Sequence, residues 1–103
     1  MRQPKKAEIT ILTQAIKDRI KDPESLQLRR VMARTDNGII SLCGEANSKN
    51  SYGGYVGCQP FFVYYMVTSG STHTEPSVVG LEGGTNGTVA VNMCRKIGYE
   101  SRA

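Results

Sequence analysis

Few side chains in this sequence could do covalent chemistry, and their spacing narrows the chemistry further. Cys43, Cys58 and Cys94 are its only thiols and His73 its only imidazole. A nucleophilic site needs Ser or Cys beside a base that a third group orients. Cys43 or Cys58 with His73 and Glu45 or Glu75 supplies the residue types. No flanking signature joins them, so the expectation is that the protein is not an enzyme. The cysteines and histidine lack metal-ligand spacing, and neither metal nor cofactor is expected. Gly53-Gly54-Tyr55-Val56-Gly57 lacks the lysine and hydroxyl of a phosphate-binding loop, and it leads into a strand where such a loop needs a helix. No βαβ unit surrounds it, which removes the dinucleotide reading as well.

Binding is the chemistry that remains. Glu45, Asn47, Lys49, Asn50, Tyr52 and Tyr55 form the densest polar cluster, with a charge of each sign, two amides and two stacking rings just after a strand end. The competing reading is architectural: Asn and Ser bond nearby backbone in turns, and the glycines supply the dihedrals. Arg29, Arg30 and Arg34, together with Lys5, Lys6, Lys17, Arg19 and Lys21, raise nucleic-acid binding as the alternative. Asp18, Asp22 and Glu24 dilute that surface, and Glu45 is expected opposite Arg30.

The elements that must position these residues can be read from composition and period. With 103 residues and 39% hydrophobic content, the chain has room for one small core, so residues 1–103 are expected to form a single domain. Residues 1–36 hold nine Lys/Arg against five Asp/Glu, whereas the rest holds four of each, and all eleven glycines lie from Gly38 onward. The first part is therefore helix-compatible and the remainder rich in turns. Ile9, Leu12, Ile16 and Ile20 recur at helical spacing. Pro4 suits the first turn, and Asp22-Pro23 should stop the helix near Lys21. Asp22-Pro23-Glu24-Ser25 reads as a cap followed by a short turn, with the Asp22 side chain accepting from the amide of Glu24 or Ser25.

Asn37-Gly38 between two apolar runs predicts a type I′ hairpin of residues 29–35 with 39–46. A two-residue loop pairs Asp36 with Ile39, Ala33 with Leu42, Val31 with Gly44 and Arg30 with Glu45. Val31, Ala33, Ile40 and Leu42 then share the face turned to the helix. Residues 56–67 read as a central strand, with Pro60 at its start or at a bulge. Residues 69–76 read as a loop, 77–81 as a short strand and 82–87 as a turn. Val89, Met93 and Ile97 predict a closing helix capped by Thr88 and ended by Gly98. No run is long and apolar enough for a membrane helix, and no apolar h-region follows the basic start. As written the chain reads as soluble and cytoplasmic, and as extracytoplasmic if a leader has been trimmed.

Asp22-Pro23-Glu24-Ser25 and the later run from Cys43-Gly44-Glu45 through Lys49-Asn50-Ser51 to Gly53-Gly54-Tyr55-Val56-Gly57 resemble a family of short bacterial proteins. Its members share a D-P-x-S turn and a C-G-E-x-N-x-K-N-S-[YF]-G-G-Y-x-G stretch, and they are often exported. The resemblance spans about residues 16–62, and it implies a helix on an antiparallel sheet without implying an activity. Cys58 departs from the pattern. In an exported chain Cys43 and Cys94 are placed to tie helix to sheet with Cys58 left free; in a cytoplasmic one all three read as small buried residues.

These readings converge on an α+β fold: an N-terminal amphipathic helix on an antiparallel sheet of about four strands, with a short C-terminal helix. The functional expectation is a small non-enzymatic module acting on a protein partner, an inhibitor or accessory factor of bacterial or phage origin. The alternative is a nucleic-acid-binding protein using the basic helix and hairpin.

Overall fold

The glycine-free beginning does form a helix. In the computed structural model, which describes residues 1–20, 22–49, 54, 57–68, 70, 72–81 and 84–99, helix α1 covers Lys6–Lys17. It starts later than a first-turn Pro4 predicts, and it stops before the end near Lys21 expected from Asp22-Pro23. Lys5 is the N-cap, which leaves Pro4 one residue outside, and the Glu8 carboxylate accepts from the Lys5 N–H at 2.8 Å to close the first turn. Leu12 and Ile16 are fully buried, with Ile9 and Ile20 packed beside them. A 3-10 turn, Pro23–Ser25, follows as expected. The Asp22 side chain does not cap it; its backbone carbonyl accepts from the Ser25 N–H and hydroxyl instead, at 3.1 and 2.8 Å.

Strands β1, Gln27–Asp36, and β2, Ile39–Asn47, meet about Asn37 and Gly38, whose φ angles of +52° and +79° are those of a type I′ turn. The predicted pairs Asp36–Ile39 and Ala33–Leu42 form, but Val31–Gly44 and Arg30–Glu45 do not. Beyond Met32–Cys43 the ladder slips by one residue, and Arg29 stands opposite Glu45. The cause lies in the phase of the apolar residues. Val31 and Ala33 alternate correctly with the core, yet strict alternation would next point Arg29 inward and Leu28 outward. A bulge with Arg30 at φ +55° absorbs one residue, so Leu28 and Val31 pack against the same core.

Strand β3, Gln59–Met66, begins three residues after the predicted start, with Pro60 at its second position; Val56 lies outside the described residues. Strand β4 is Ser77–Gly80. All neighbours are antiparallel in the order β1-β2-β3-β4. Gly44 faces Phe61 across the β2–β3 ladder, and a Cβ there would lie 2.8 Å from the ring, so the glycine makes room for a fully buried aromatic.

Helix α2, Gly84–Lys96, starts before Thr88, inside the segment expected to be a turn. Propensity at Gly84 and Gly87 is poor, and packing of the later turns overrides it. Ala90 and Cys94 face the sheet, whereas Val89 and Met93 of the predicted stripe are 41% and 38% exposed. The C-terminus closes as expected at Gly98, whose N–H donates to the Arg95 carbonyl while that of Tyr99 donates to Cys94. Cys94 is disulfide-bonded to Cys43 of β2, and Cys58 is not bonded.

The fold is α+β with a helix on each side of one sheet. Leu12 and Ile16 of α1 join Ala33, Ile40, Leu42, Phe61, Val63 and Tyr65 on one face. Cys43 and Phe62 meet Ala90, Cys94 and Tyr99 on the other. Among the described residues no helix is long and apolar enough to cross a membrane.

Candidate functional site

Of the polar cluster at the end of β2, Glu45, Asn47 and Lys49 are among the described residues. Glu45 lies within the strand, 4% exposed, with the Arg30 guanidinium 3.9 Å away. The Asn47 amide oxygen accepts from the Gly57 N–H at 3.0 Å, which ties the two sides of the loop together. The Lys49 N–H donates to the Ser25 hydroxyl at 2.8 Å. That bond joins the two sequence motifs, with Ser25 donating to Asp22 and accepting from Lys49. Asn47 thus acts as the architectural reading anticipates; Asn50, Tyr52 and Tyr55 lie outside the described residues.

The basic residues are divided between the two sides of the sheet. Arg30 lies 5.9 Å from the centre of the Tyr99 ring, and Arg34 donates to the Ile97 carbonyl at 3.4 Å, so both belong to the α2 side. Lys5, Lys6, Lys17 and Arg19 belong to α1 or its ends, on the opposite side. Arg29 approaches the Cys58 sulfur at 3.7 Å. Among the described residues the α1 cations thus lie on the side of the sheet opposite Arg30 and Arg34, and Lys21 lies outside the described residues.

The thiol and imidazole groups are also kept apart. Cys43 and Cys94 are oxidised to one disulfide. Cys58 precedes β3, whereas His73 bridges Val67 at that strand's other end, about 30 Å away at 3.3 Å per residue. No Cys–His pair is assembled, and no cluster of metal-ligating side chains occurs among the described residues.

Two surface features lie outside the polar cluster and the basic residues. The first is a gradient along the α2 side of the sheet. In the row Cys43–Phe62–Val79, Cys43 and Phe62 are covered; in the next, Ser41–Tyr64–Ser77, Tyr64 is 40% exposed. In the last, Ile39–Met66, the values reach 37% and 51%. Helix α2 ends its cover before the hairpin tip, leaving Ile39, Tyr64 and Met66 as adjoining apolar side chains.

The second feature is a groove of about 420 Å³ between α1 and the β4 side of the sheet. Ile11, Ala15, Pro76 and Val78 give it apolar walls; Asp18, Arg19, His73 and Glu75 are among its polar lining. The segment read as a loop after β3 folds back to build one wall: the Thr74 N–H donates to the Met66 carbonyl and the Thr68 N–H to that of Thr72. His73 is thereby set against Tyr65, with ring centres 5.1 Å apart, and its Nδ1 lies 2.7 Å from the Thr74 carbonyl. Burial pushes the Tyr65 phenol up from its usual range, and the nearby Glu8 carboxylate adds to the shift. The sequence signal for this groove is the pair Ile11 and Ala15, four residues apart and off the main core stripe. Set beside family models, curated proteins and solved structures, the chain matches none of them.

Proposed function

We propose that this protein is a small binding module without a catalytic role, acting on a protein partner as an inhibitor or accessory factor of bacterial or phage origin. The observation that carries the reading is the exposed patch of Ile39, Tyr64 and Met66. Aromatic and methionine side chains are enriched at recognition surfaces, and here they sit on paired strands that hold them at low entropic cost. Arg34 and Asp36 pair with Ser41 and Ile39 and flank the patch with one charge of each sign. A mixed rim of this kind suits a protein surface better than a phosphate backbone. The bacterial family resembled by the two motifs, here joined through Ser25 and Lys49, provides the setting for such a role.

A photo-crosslinking residue at position 64, with one at the exposed Glu24 as control, tests this. The expected result is a single protein adduct at position 64 that survives high salt and is lost when Ile39 and Met66 are both replaced by serine. A nucleic-acid complex that dissolves steeply as salt rises would instead establish the alternative. Undiminished partner binding by the serine variant would move the interaction away from this surface.

A further inference from the structure

We propose that the outer edge of β4, together with the groove under α1, is a receptor for an extended peptide, which binds as an added strand. This surface differs from the Ile39–Tyr64–Met66 patch, and the inference stands whether or not that patch binds.

The two edges of the sheet differ. At β1, residue 2 covers the edge: the Arg2 N–H donates to the Ala33 carbonyl and the Ala33 N–H to that of Arg2, both at 2.8 Å. Beyond β4 no strand lies among the described residues. The direction of its backbone groups follows from the ladder. The Leu81 N–H donates to the Pro60 carbonyl, so in an antiparallel pair Val79 and Ser77 also turn their N–H and C=O toward β3. The N–H and C=O of the intervening Val78, and the carbonyl of Pro76, then face outward. Outward-facing strand groups recruit another extended chain.

The groove supplies the second half of the recognition. Val78 shares the α1 side of the sheet with Val63, and its side chain lines the groove with Ile11 and Ala15. A strand added to β4 would place every second side chain on that side, into a space of 420 Å³ with apolar walls. The rim carries both signs, with Arg19 against Asp18 and Glu75. Such a rim repels a uniform polyanion and complements a peptide bearing an apolar residue between mixed charges. Main-chain hydrogen bonds would supply affinity, and the groove would supply side-chain choice.

The test uses peptides of about twelve residues selected from a library on the folded, disulfide-intact protein, then resynthesised with single backbone N-methyl groups. Strand addition predicts a period-two pattern: methylation of residues bonded to β4 weakens binding roughly tenfold, while methylation of those between leaves it unchanged. Ile11→Glu should abolish binding, and Tyr64→Ser should leave it intact. Val78→Pro removes an outward N–H that the sheet does not use, so the protein should fold and fail to bind. If that variant does not fold, the N-methyl pattern and Ile11→Glu decide alone. Selection that yields no peptide sensitive to Ile11→Glu, or sensitivity to N-methylation without alternation, would overturn the proposal.

Discussion

The two faces of the sheet are held by different physical means. On the α1 face, Leu12 and Ile16 reach full burial among branched and aromatic residues, and on that face the layers are held by apolar surface removed from water. On the α2 face, among the described side chains of the helix, Ala90 and Cys94 are buried against the sheet and are too small to bury much area, and Val89 and Met93 point outward. Small residues let α2 come close: a Cβ on Gly80 would lie 3.0 Å from that of Ala90 and 2.3 Å from the Pro60 carbonyl oxygen. That helix is secured by the Cys43–Cys94 bond and by Tyr99. A helix that buries small side chains can thus persist if a covalent link replaces area, while its larger Val89 and Met93 stay exposed.

Removing the link should break the comparison most sharply. Cys43 and Cys94 are 51 positions apart, and closing a loop of that length is worth about 4 kcal/mol in the chain-entropy account. Cys43→Ala with Cys94→Ala should lower the denaturation midpoint accordingly, and hydrogen exchange should show α2 amides losing protection before those of α1. Simultaneous loss on both faces would mean that the layers form one cooperative unit.

Leu12→Ala comes next, at about 3 kcal/mol for a fully buried leucine. If the faces are independent, this cost is the same with the disulfide intact or absent. A difference above about 0.5 kcal/mol would show coupling through the sheet.

Smaller again is the pair that closes the β1 edge. Arg2 donates to both Glu8 carboxylate oxygens at 2.7 Å, and this holds the Glu8 carboxyl below its usual range; burial opposes the shift, and the Lys5 N–H supports it. A lowered folded value means that the stabilisation is complete above the unfolded value of about 4.3 and is lost as pH falls through the lowered one. Arg2 is about one-third exposed, so solvent screens the pair and Glu8→Gln should cost about 1–2 kcal/mol at neutral pH. Melting temperatures of the variant should fall less steeply than those of the parent as the solution is acidified below about pH 4.3. Parallel acid limbs would assign the sensitivity to other carboxylates.

Local periodicity made α1, the hairpin and its face assignment legible, because 3.6- and 2-residue repeats are written in adjacent residues. The bulge is legible only in part: Leu28 and Val31 are visibly out of phase, but the residue that absorbs the slip, Arg30, is contacted through its carbonyl by Tyr99, almost seventy positions away. The stripe of α2 predicted from Val89 and Met93 differs from the buried one for a related reason, since these are the larger residues and the sheet selects the smaller Ala90 and Cys94. The groove joins α1 to residues 73–78, and no local pattern records that meeting. Asn47 and Lys49 stand out in the sequence as polar residues of a glycine-rich run, and their described bonds are to backbone or from backbone, which such a run does not distinguish from a ligand site.

The last prediction concerns the residue that connects the two faces. The Tyr99 hydroxyl donates to the Arg30 carbonyl at 2.8 Å, and the Arg30 guanidinium lies over the same ring. Arg30 is left-handed, a conformation that costs a non-glycine residue roughly 1–2 kcal/mol. An anchor from the α2 side therefore holds the bulge that sets Leu28 and Val31 against the α1 core. Tyr99→Phe keeps the ring and removes the donor, leaving the carbonyl to find water, at a cost of about 1 kcal/mol. The specific signature is where the loss appears. Exchange at the Val31 and Met32 amides should accelerate although both lie in β1, while that of the α2 amides changes little because the ring still packs on Cys94. Unchanged exchange at Val31 and Met32 would show that the phase of the apolar residues alone holds the bulge, and that the two faces do not communicate through Tyr99.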